Sequence, residues 1–407
     1  MSPEHFAQLE SALRQVTGFI YPNEVELHWS ILIVIYPYIT GLVAGAFILA
    51  SLAKVFKVKD VQPTYRLALL TALAFLFVAP MPLQAHLGHP ERAFEIFLTP
   101  NPSSAMAMFG FVYAWYLMLV LLLEIWFEYR ADLVRWRQRS RGLKKLFYWL
   151  ISLGSRDVSP EAVSFDHRAV YAITIVGIPS AFLLHGYVGF IFGSVKANPW
   201  WSSVLMPIVF LFSAIVSGIS LVLLLYYVTT LMRGKKLDMN CLNALASFLL
   251  YVLIVDFSLE SLDVIHRLYE SEESIGILRE LIASKLFISL TIVQILLGTI
   301  GPMLLLAVGR FWALPDELKR MAYFIAAIFV QVGIFSTRWN VVIGGQLFSK
   351  SLRGLTVYKL EVGGQEGLLT ALGLLILPFV ILFVLLKLLP PWDEARTDTE
   401  PANPQLA

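Results

Sequence analysis

Long apolar stretches dominate this sequence and decide what kind of fold it can adopt. A helix that crosses the hydrocarbon core of a bilayer needs about 20 mostly apolar residues. Stretches that meet this requirement occur at residues 28–53, 66–85, 104–127, 168–192, 203–231, 240–265, 284–308, 321–343 and 368–389. We therefore predict an all-α integral membrane protein, a polytopic helical bundle of about nine transmembrane helices, within a range of eight to ten.

The composition excludes several classes of protein. The 407 residues are 58% hydrophobic and 15% charged, whereas soluble proteins are about 25% charged and less than half apolar. A formal net charge of +2 gives no electrostatic reason to bind nucleic acid. The single cysteine, Cys241, excludes internal disulfides, a four-cysteine iron–sulfur cluster and covalent CxxCH haem attachment. We expect no metal site and no iron–sulfur cluster in this chain.

Basic residues in the connections between the apolar stretches predict the orientation. Lys and Arg concentrate on the cytoplasmic side of membrane proteins. The densest basic connection, 128–167, contains Arg130, Arg135, Arg137, Arg139, Arg141, Lys144 and Lys145. We therefore place this connection in the cytoplasm, which puts the N-terminus outside the cell and the C-terminus in the cytoplasm.

Terminal and surface segments flank the predicted bundle, which spans residues 28–389. Residues 1–27 form an outer interfacial segment without the apolar region of a signal peptide, and Pro3–Tyr21 within it reads as an interfacial helix. The amphipathic segment Lys144–Leu153 is too short to cross a bilayer and is expected to lie on its surface. The polar tail 390–407 is predicted to be a disordered cytoplasmic segment.

The sixth predicted helix carries ionisable residues at helical spacing. Asp256, Glu260, Asp263 and His266 follow one another at intervals of four and three residues, so they line one face. Carboxylates that end in an imidazole can pass protons, which predicts a proton-transfer ladder. Alternatively, Asp263 and His266 are simply interfacial, and Asp256 is neutral or pairs with an arginine. Glu124, near the cytoplasmic end of the third helix, either snorkels or marks the lower end of a proton path.

An arginine in the eighth helix needs a partner. Arg338 lies about two-thirds of the way outward, where a guanidinium requires a carboxylate or a ligand. Asp256, Glu260 and Asp263 are the candidate ion-pair partners. The other interpretation is that Arg338 holds the polar head of a ligand.

Most of the histidines collect near the predicted outer side. The five at this level are His28, His86, His89, His185 and His266. Each alone is compatible with an ordinary interfacial residue, but their common depth with Arg338 and Asp263 predicts a shared outer pocket. Haem b is not expected, because it needs two facing axial imidazoles inside the bundle and only His185 lies clearly within a span.

Three sequence segments carry a family resemblance. They are PYITGLVAGAF in the first helix, HLGHPERAFEIFLTPNPSSAMAMFGF from the second helix into the third, and RWNVVIGGQ in the eighth. Together they resemble the NrfD/PsrC family of polysulfide-reductase membrane subunits, over roughly Trp29 to Leu389. Within that family, the length, the charged sixth helix and RWNVVIGGQLFSKS most resemble the DsrP-type subunits of the DsrMKJOP sulfur-metabolism complex.

This resemblance implies a subunit of the inner (cytoplasmic) membrane that has no cofactor of its own and binds a quinone, menaquinone or ubiquinone, near the outer surface. It implies electron exchange with a periplasmic, ferredoxin-like iron–sulfur subunit, beside a cytochrome subunit and further membrane subunits. By position, His28 resembles the family's quinone-contacting histidine, and His86 or His89, Asp256 and Arg338 resemble polar groups around its pocket. The candidate quinone-binding residues are therefore His28, His86, His89, His185, Asp256 and Arg338.

Three functions are compatible with these residues. The favoured one is a quinone-binding membrane subunit of a redox complex in sulfur (sulfite/sulfate-type) respiratory metabolism, coupled to proton transfer through Glu124 and the sixth helix. No catalytic residue is assigned, and the sequence does not fix the direction of electron flow. The alternative is a secondary transporter or ion channel that uses the buried Asp, Glu and Arg. The third is a di-haem cytochrome b.

Overall fold

Long helices form almost all of the structure. The computed structural model describes Ala7, Glu10, Ser11 and residues 13–99, 101–270 and 274–392. Within these residues, nine helices are long and apolar enough to cross a membrane, which confirms the predicted all-α membrane bundle. They are α1 (Ile31–Lys54), α2 (Lys59–His86), α3 (Ala107–Arg139), α4 (Pro160–Gly193), α5 (Met206–Met232), α6 (Met239–Arg267), α7 (Phe287–Phe311), α8 (Asp316–Gln346) and α9 (Leu368–Leu388).

Several of these helices change type along their length. The 3₁₀ turns are Lys59–Thr64 at the start of α2 and Gly344–Gln346 at the end of α8, and the π-helical stretches are Trp115–Leu121 in α3 and Phe287–Ile300 in α7. Shorter elements between the long helices are Pro22–Glu24, Pro90–Arg92, Glu95–Leu98, Gly142–Ile151 and Ile275–Ser284. π-helical turns recur at functional sites, and the one in α7 carries residues of the candidate site described below.

The helix α1 lies at the centre of the bundle. Its apolar stretch is 89% buried, whereas that of α9 is 17% buried. The Gly41/Gly45 pair permits this position, because a Cβ atom on Gly45 would lie 2.0 Å from the carbonyl oxygen of Ala214 in α5. Gly218 of α5 faces Gly45 in the same way. Small residues thus let two helix backbones approach closely.

The two ends of the bundle differ in their connections. The N-terminal end holds residues 13–30 and the connections after α2, α4, α6 and α8; the basic end holds the remaining connections and the chain after α9. At the N-terminal end, strand β1 (Thr17–Phe19) pairs antiparallel with strand β2 (Arg353–Leu355). At the basic end, the Tyr148 hydroxyl donates to the carbonyl oxygen of Leu388 at 2.9 Å.

Helices α3 and α4 extend further into the basic connection than predicted. The sequence suggested an end near 127 and a start near 168, but α3 continues to Arg139 and α4 begins at Pro160. An ion pair joins the two extensions, in which Arg130 Nη2 lies 2.7 Å from Asp166 Oδ2. The basic connection is therefore short, and the amphipathic segment within it forms the helix Gly142–Ile151.

The predicted interfacial helix Pro3–Tyr21 is wrong in its last part. Ala7, Glu10, Ser11 and Leu13 are helical, but Thr17–Phe19 is the strand β1. Gly18 has a φ of +73°, and a Cβ atom there would lie 2.1 Å from the carbonyl oxygen of Arg353. Pairing with β2 requires this close approach, which no local helical pattern could reveal. Most of the predicted disordered tail, 393–407, lies outside the described residues.

Candidate functional site

A buried arginine organises the polar interior of the bundle. Arg338 of α8 is fully buried, and its Nη2 donates to Ser213 Oγ at 2.5 Å and faces His185 Nε2 at 3.2 Å. Its guanidinium lies 4.2 Å from the centre of the Phe210 ring. Because a guanidinium only donates hydrogen bonds, His185 Nε2 must accept, so the neutral imidazole carries its proton on Nδ1. That nitrogen lies 3.3 Å from Thr40 Oγ1 of α1.

Two carboxylates of α6 complete this group. Asp256 and Glu260 lie close enough to Arg338 to interact with it electrostatically, although neither forms an ion pair with it among the described residues. Arg338 Nε and Nη1 and Asp256 Oδ1 are buried without a hydrogen-bond partner in this part of the chain. Buried polar groups are normally satisfied. The set Arg338, His185, Ser213, Asp256 and Glu260, the mid-bundle cluster, therefore keeps capacity for another polar partner or a proton.

A chain of hydrogen bonds leads away from Glu260. Gln294 of α7 donates to Glu260 Oε2 at 3.2 Å, and Asn340 of α8 donates to Gln294 Oε1 at 2.8 Å. Ser289 Oγ then donates to Asn340 Oδ1 at 2.6 Å. Sequence reasoning missed Gln294 and Ser289. The sequence signal for Gln294 was its position within the apolar run TIVQILL, because an unpaired side-chain amide is costly inside a membrane.

A cleft of about 280 Å³ opens at the N-terminal end. Its lining residues are Asn23, Glu24, Glu26, Leu27, His28, Val195, Ala197, Asn198, Trp201, Gly345, Gln346, Phe348 and Lys350. His28 is the one candidate quinone-binding residue in this lining. Its imidazole and the Asn23 amide are exposed and make no hydrogen bond among the described residues. Both are therefore available to a bound molecule.

The end of α8 forms the floor of this cleft. Asn198 donates to the carbonyl oxygen of Gly345 at 2.7 Å, and Trp201 Nε1 donates to that of Val341 at 2.6 Å. A Cβ atom on Gly345 would lie 2.0 Å from Trp201 Nε1, so only glycine fits there. Gln346 lies eight residues beyond Arg338, about 12 Å along a helix at 1.5 Å per residue.

The start of α1 is capped from the connection after α8. Gln346 Oε1 accepts from the backbone N–H of Trp29 at 3.1 Å, and the Tyr358 hydroxyl accepts from that of Ile31 at 3.0 Å. Burial raises the pKa of the Tyr358 hydroxyl above its ordinary value, so it stays neutral at physiological pH. These contacts fix the start of α1, directly after His28, beside the floor of the cleft.

Packed aromatic rings connect the cleft with the mid-bundle cluster. Trp29 stacks on Trp201 with ring centres 5.1 Å apart, and Phe192 lies 5.4 Å from Trp201. Phe192 in turn lies 5.8 Å from Phe210, whose ring stacks on His185 at 5.6 Å. Arrangements of this kind are rigid and well packed. A continuous set of packed rings therefore joins the cleft to the mid-bundle cluster.

The structure does not bring the remaining predicted histidines into the cleft. His86 Nδ1 lies 3.0 Å from Glu366 Oε2, and His89 Nδ1 lies 3.0 Å from Glu91 Oε1 in a side chain that is 72% exposed. His266 is exposed at the end of α6. His86, His89 and His266, which are predicted to lie at a similar depth, therefore have three different environments.

Asp263 has a different environment from Asp256 and Glu260. Arg267 Nε lies 2.9 Å from Asp263 Oδ2, and Ser203 Oγ donates to the same carboxylate. Arg267 also donates to the carbonyl oxygen of Pro199. The pair holds the connection after α4 against α6. Asp263 therefore pairs with Arg267. The sequence also allows Arg338 as its partner, but that pair does not form among the described residues.

Glu124 is fully buried, which contradicts the snorkelling interpretation. Thr174 and Tyr65 donate to its Oε1 at 2.8 and 3.1 Å, whereas Oε2 has no hydrogen-bond partner among the described residues. One helical turn closer to the basic end lies the basic-end cluster, which sequence reasoning missed. It consists of Glu128 and Asp132 of α3, Lys54 of α1 and Arg66 of α2. The sequence signal for this cluster was a group of charged residues near the ends of spans, with Glu128 and Asp132 four positions apart in α3.

The polar side chains of the candidate site are suited to hydrogen bonding rather than to holding a metal ion. Among the residues that the structure describes, no three His, Cys, Asp or Glu side chains come together so as to hold a metal ion. What the site offers to a bound molecule is imidazole and amide groups in the cleft, and guanidinium and carboxylate groups in the mid-bundle cluster.

Comparison with known proteins identifies the family. Residues 22–350 match the family described as "Polysulphide reductase, NrfD". The chain is 33% identical to a selenate reductase subunit of Mesobacillus selenatarsenatis over 322 residues, 77% of this chain and 73% of that protein. It is 28% identical to Protein NrfD of Escherichia coli, over 52% of this chain and 63% of that one. It is 26% identical to the Hdr-like menaquinol oxidoreductase integral membrane subunit of Archaeoglobus fulgidus, over 54% and 46%. The chain therefore belongs to the polysulphide reductase NrfD family and is a multi-pass membrane protein.

Proposed function

We propose that the chain is the quinone-reactive membrane subunit of a multi-subunit oxidoreductase complex. It exchanges electrons between the membrane quinone pool, menaquinone or ubiquinone, and a partner iron–sulfur subunit. The observation that carries this proposal is the cleft at the N-terminal end, where the His28 imidazole and the Asn23 amide have no partner among the described residues. The Archaeoglobus fulgidus relative, named as a menaquinol oxidoreductase subunit, supports the choice of ligand.

The chemistry of the cleft suits a quinone head group. Ligand pockets begin at about 300 Å³ and combine apolar walls with a few polar groups, and this cleft has about 280 Å³ with Leu27, Val195 and Trp201 in its lining. Oxidation of a quinol releases two protons and two electrons. His28 can accept one proton from a quinol hydroxyl, because a neutral imidazole has one ring nitrogen that accepts a hydrogen bond or a proton. The second proton leaves to solvent, to which His28 is exposed, and the two electrons would pass to the iron–sulfur clusters of the partner.

The proposal is tested with a pair of histidine variants. His28→Ala is expected to lower the rate of quinol-dependent electron transfer by about 100-fold, the usual contribution of a positioned acid–base group. Arg279→Ala is the control, since this exposed side chain lies at the same end of the bundle but outside the cleft lining. Both are assayed in the purified complex with a soluble quinol analogue. Equal rates in the two variants would remove His28 from the site.

The mid-bundle cluster is proposed to handle protons during this reaction. It combines one guanidinium with two carboxylates, and a low-dielectric interior favours a neutral set. With one proton shared between them, Asp256 and Glu260 carry a combined charge of −1, which balances the positive charge of Arg338. The proton route is formed by the Asp256 and Glu260 carboxylates. The amides of Gln294 and Asn340 do not relay protons; their hydrogen bonds hold the Glu260 carboxylate in position.

The sequence predicts three further residues in this proton route. Glu124, with one unpartnered oxygen, is proposed as a second proton-holding group nearer the basic end. The roles of Asp263 and His266 in proton transfer stay predictions. The ion pair of Asp263 with Arg267 favours a structural role for that carboxylate.

The partners and location are proposed as follows. The N-terminal end faces the periplasm, the basic end faces the cytoplasm, and the membrane is the inner membrane. The iron–sulfur subunit docks beside the cleft, with a cytochrome and further membrane subunits, in a DsrP-type complex of sulfite/sulfate-type metabolism. One relative is named for selenate, so the choice of oxyanion rests on the resemblance to the DsrP-type proteins. Copurification of the native complex tests this assignment, and the absence of an iron–sulfur protein would contradict it.

A secondary transporter or ion channel is the alternative. The observation that favours it is the set of unpartnered polar atoms on Arg338 and Asp256 deep in the bundle. Arg338→Ala and Asp256→Asn separate the two functions: the redox proposal expects slower quinol-dependent electron transfer. Unchanged electron transfer with lost solute uptake would establish the transporter. A Soret band that scales with the purified subunit would instead indicate a di-haem cytochrome b.

A further inference from the structure

A second cavity lies at the basic end, between α3 and α4. It has a volume of about 650 Å³ and is separate from the cleft at the N-terminal end. Its polar side is formed by Arg66, Glu128, Asp132, Arg135, Ser164, Asp166, His167 and Arg168. Its apolar side is formed by Phe127, Val163, Val170 and Tyr171, among others. The cavity is thus amphipathic, as the site of a lipid head group and its first acyl carbons must be.

The charges of the cavity favour an anion. Each carboxylate in the lining is already neutralised, by Lys54 and Arg66 at Glu128, by Arg66 and Arg135 at Asp132, and by Arg130 at Asp166. Arg168, in contrast, is exposed and makes no ion pair or hydrogen bond among the described residues. Arg135 reaches Asp132 at 3.3 Å with one nitrogen and is 35% exposed. Two guanidinium groups can therefore bind a phosphate, which they match in geometry and charge.

The depth of the cavity corresponds to the head-group layer. The adjacent helix Gly142–Ile151 exposes Leu143, Leu146, Trp149 and Leu150 and carries Lys144 and Lys145, which is the pattern of a helix lying in a membrane interface. It is fixed to α3 by the Trp126 Nε1 donation to the carbonyl oxygen of Ile151 at 3.0 Å. The exposed Tyr171 ring, one turn deeper in α4 than His167, borders the apolar side.

We propose that this cavity binds the head group of an anionic phospholipid. The phosphate contacts Arg168 and Arg135, and the acyl chains run along Phe127, Val170 and Tyr171. The bound lipid fills the space between the extensions of α3 and α4 and ties them to the surrounding bilayer. This inference depends on the chain spanning a membrane and is independent of quinone chemistry.

The proposal is tested by native mass spectrometry of the detergent-purified full chain, titrated with phosphatidylglycerol or phosphatidylcholine. Phosphatidylglycerol is expected to bind preferentially, and Arg168→Gln and Arg135→Gln are each expected to weaken it about fivefold, the usual effect of one basic residue near a membrane surface. Lys236→Gln is the control, because this exposed residue lies at the same end outside the cavity. Arg168 has no partner to lose among the described residues, so its variant should fold normally.

Three outcomes would overturn the proposal. They are equal binding of the two lipids, equal phosphatidylglycerol binding by Arg168→Gln and Lys236→Gln, and displacement of the lipid by millimolar inorganic phosphate. The last result would identify a soluble phosphate as the occupant. Preferential binding that is lost in Arg168→Gln and resists inorganic phosphate would support the lipid.

Discussion

The bundle contains two buried groups of charged side chains that differ in how completely they are paired. In the basic-end cluster, Arg66 lies 2.8 Å from Glu128 and 2.9 Å from Asp132, and Lys54 lies 3.2 Å from Glu128. In the mid-bundle cluster, Arg338 contacts an imidazole and a hydroxyl, and it keeps two nitrogens without partners among the described residues. Pairing makes the first cluster a clamp between α1, α2 and α3. Incomplete pairing leaves the second able to respond to a proton or a ligand.

The largest effect should come from breaking the clamp. Arg66→Gln leaves two buried carboxylates with fewer counter-charges, and we expect the free energy of unfolding to fall by about 3 kcal/mol. Unfolding in mixed detergent micelles measures this, with the exposed Lys236→Gln as the control. A stability equal to that of the control would show that the basic-end cluster is not a clamp.

Removing a carboxylate from the mid-bundle cluster should change the rate of quinol-dependent electron transfer rather than the free energy of unfolding. Glu260→Gln replaces the carboxylate by an amide, whose oxygen can still accept from Gln294 but which cannot take up a proton. We expect quinol-dependent electron transfer or coupled proton release to slow by about 100-fold. The exposed Glu280→Gln is the matched control. Wild-type values for both rates in Glu260→Gln would remove the proton route.

Asp263, on the same helix face as Glu260, should behave like the basic-end cluster. Asp263→Asn loses the ion pair with Arg267, and we expect about 1.5 kcal/mol of destabilisation, the value of a hydrogen bond to a charged group. Hydrogen exchange of residues 199–203 should rise, while electron transfer per folded molecule should change little. A rate as low as that of Glu260→Gln would place Asp263 in the proton route instead.

The smallest effect should come from a methyl group beside His185. A Cβ atom on Gly41 would lie 3.2 Å from His185 Cε1, so the ring must move by a few tenths of an ångström. We expect Gly41→Ala to destabilise by about 1 kcal/mol and to slow electron transfer slightly. Gly45→Ala, which meets the backbone oxygen of Ala214 at 2.0 Å, should be far more disruptive. Equal unfolding temperatures in the two variants would contradict this.

The helices could be predicted because bilayer thickness fixes their length, and each apolar stretch is a local property of the chain. The candidate site was only partly predictable. Asp256, Glu260 and Arg338 stand out as charges within apolar spans. Gln294 gives a weaker signal, an amide in an apolar run, and Ser289 gives none, since uncharged polar residues are common in membrane helices. The histidines show a second limit. Sequence gives the depth of His28, His86 and His89 but not their position around the bundle, and that position puts them in separate environments.

The cap of α1 has a consequence for biosynthesis. The groups that complete it, Gln346 and Tyr358, lie 317 and 327 positions downstream of Trp29 and Ile31. His28 therefore leaves the ribosome long before the walls that surround it, and its cleft closes only after the eighth span has been inserted. A product that terminates before Gln346 keeps most of its spans but lacks the groups that cap α1 and line the cleft, so it cannot form this cleft.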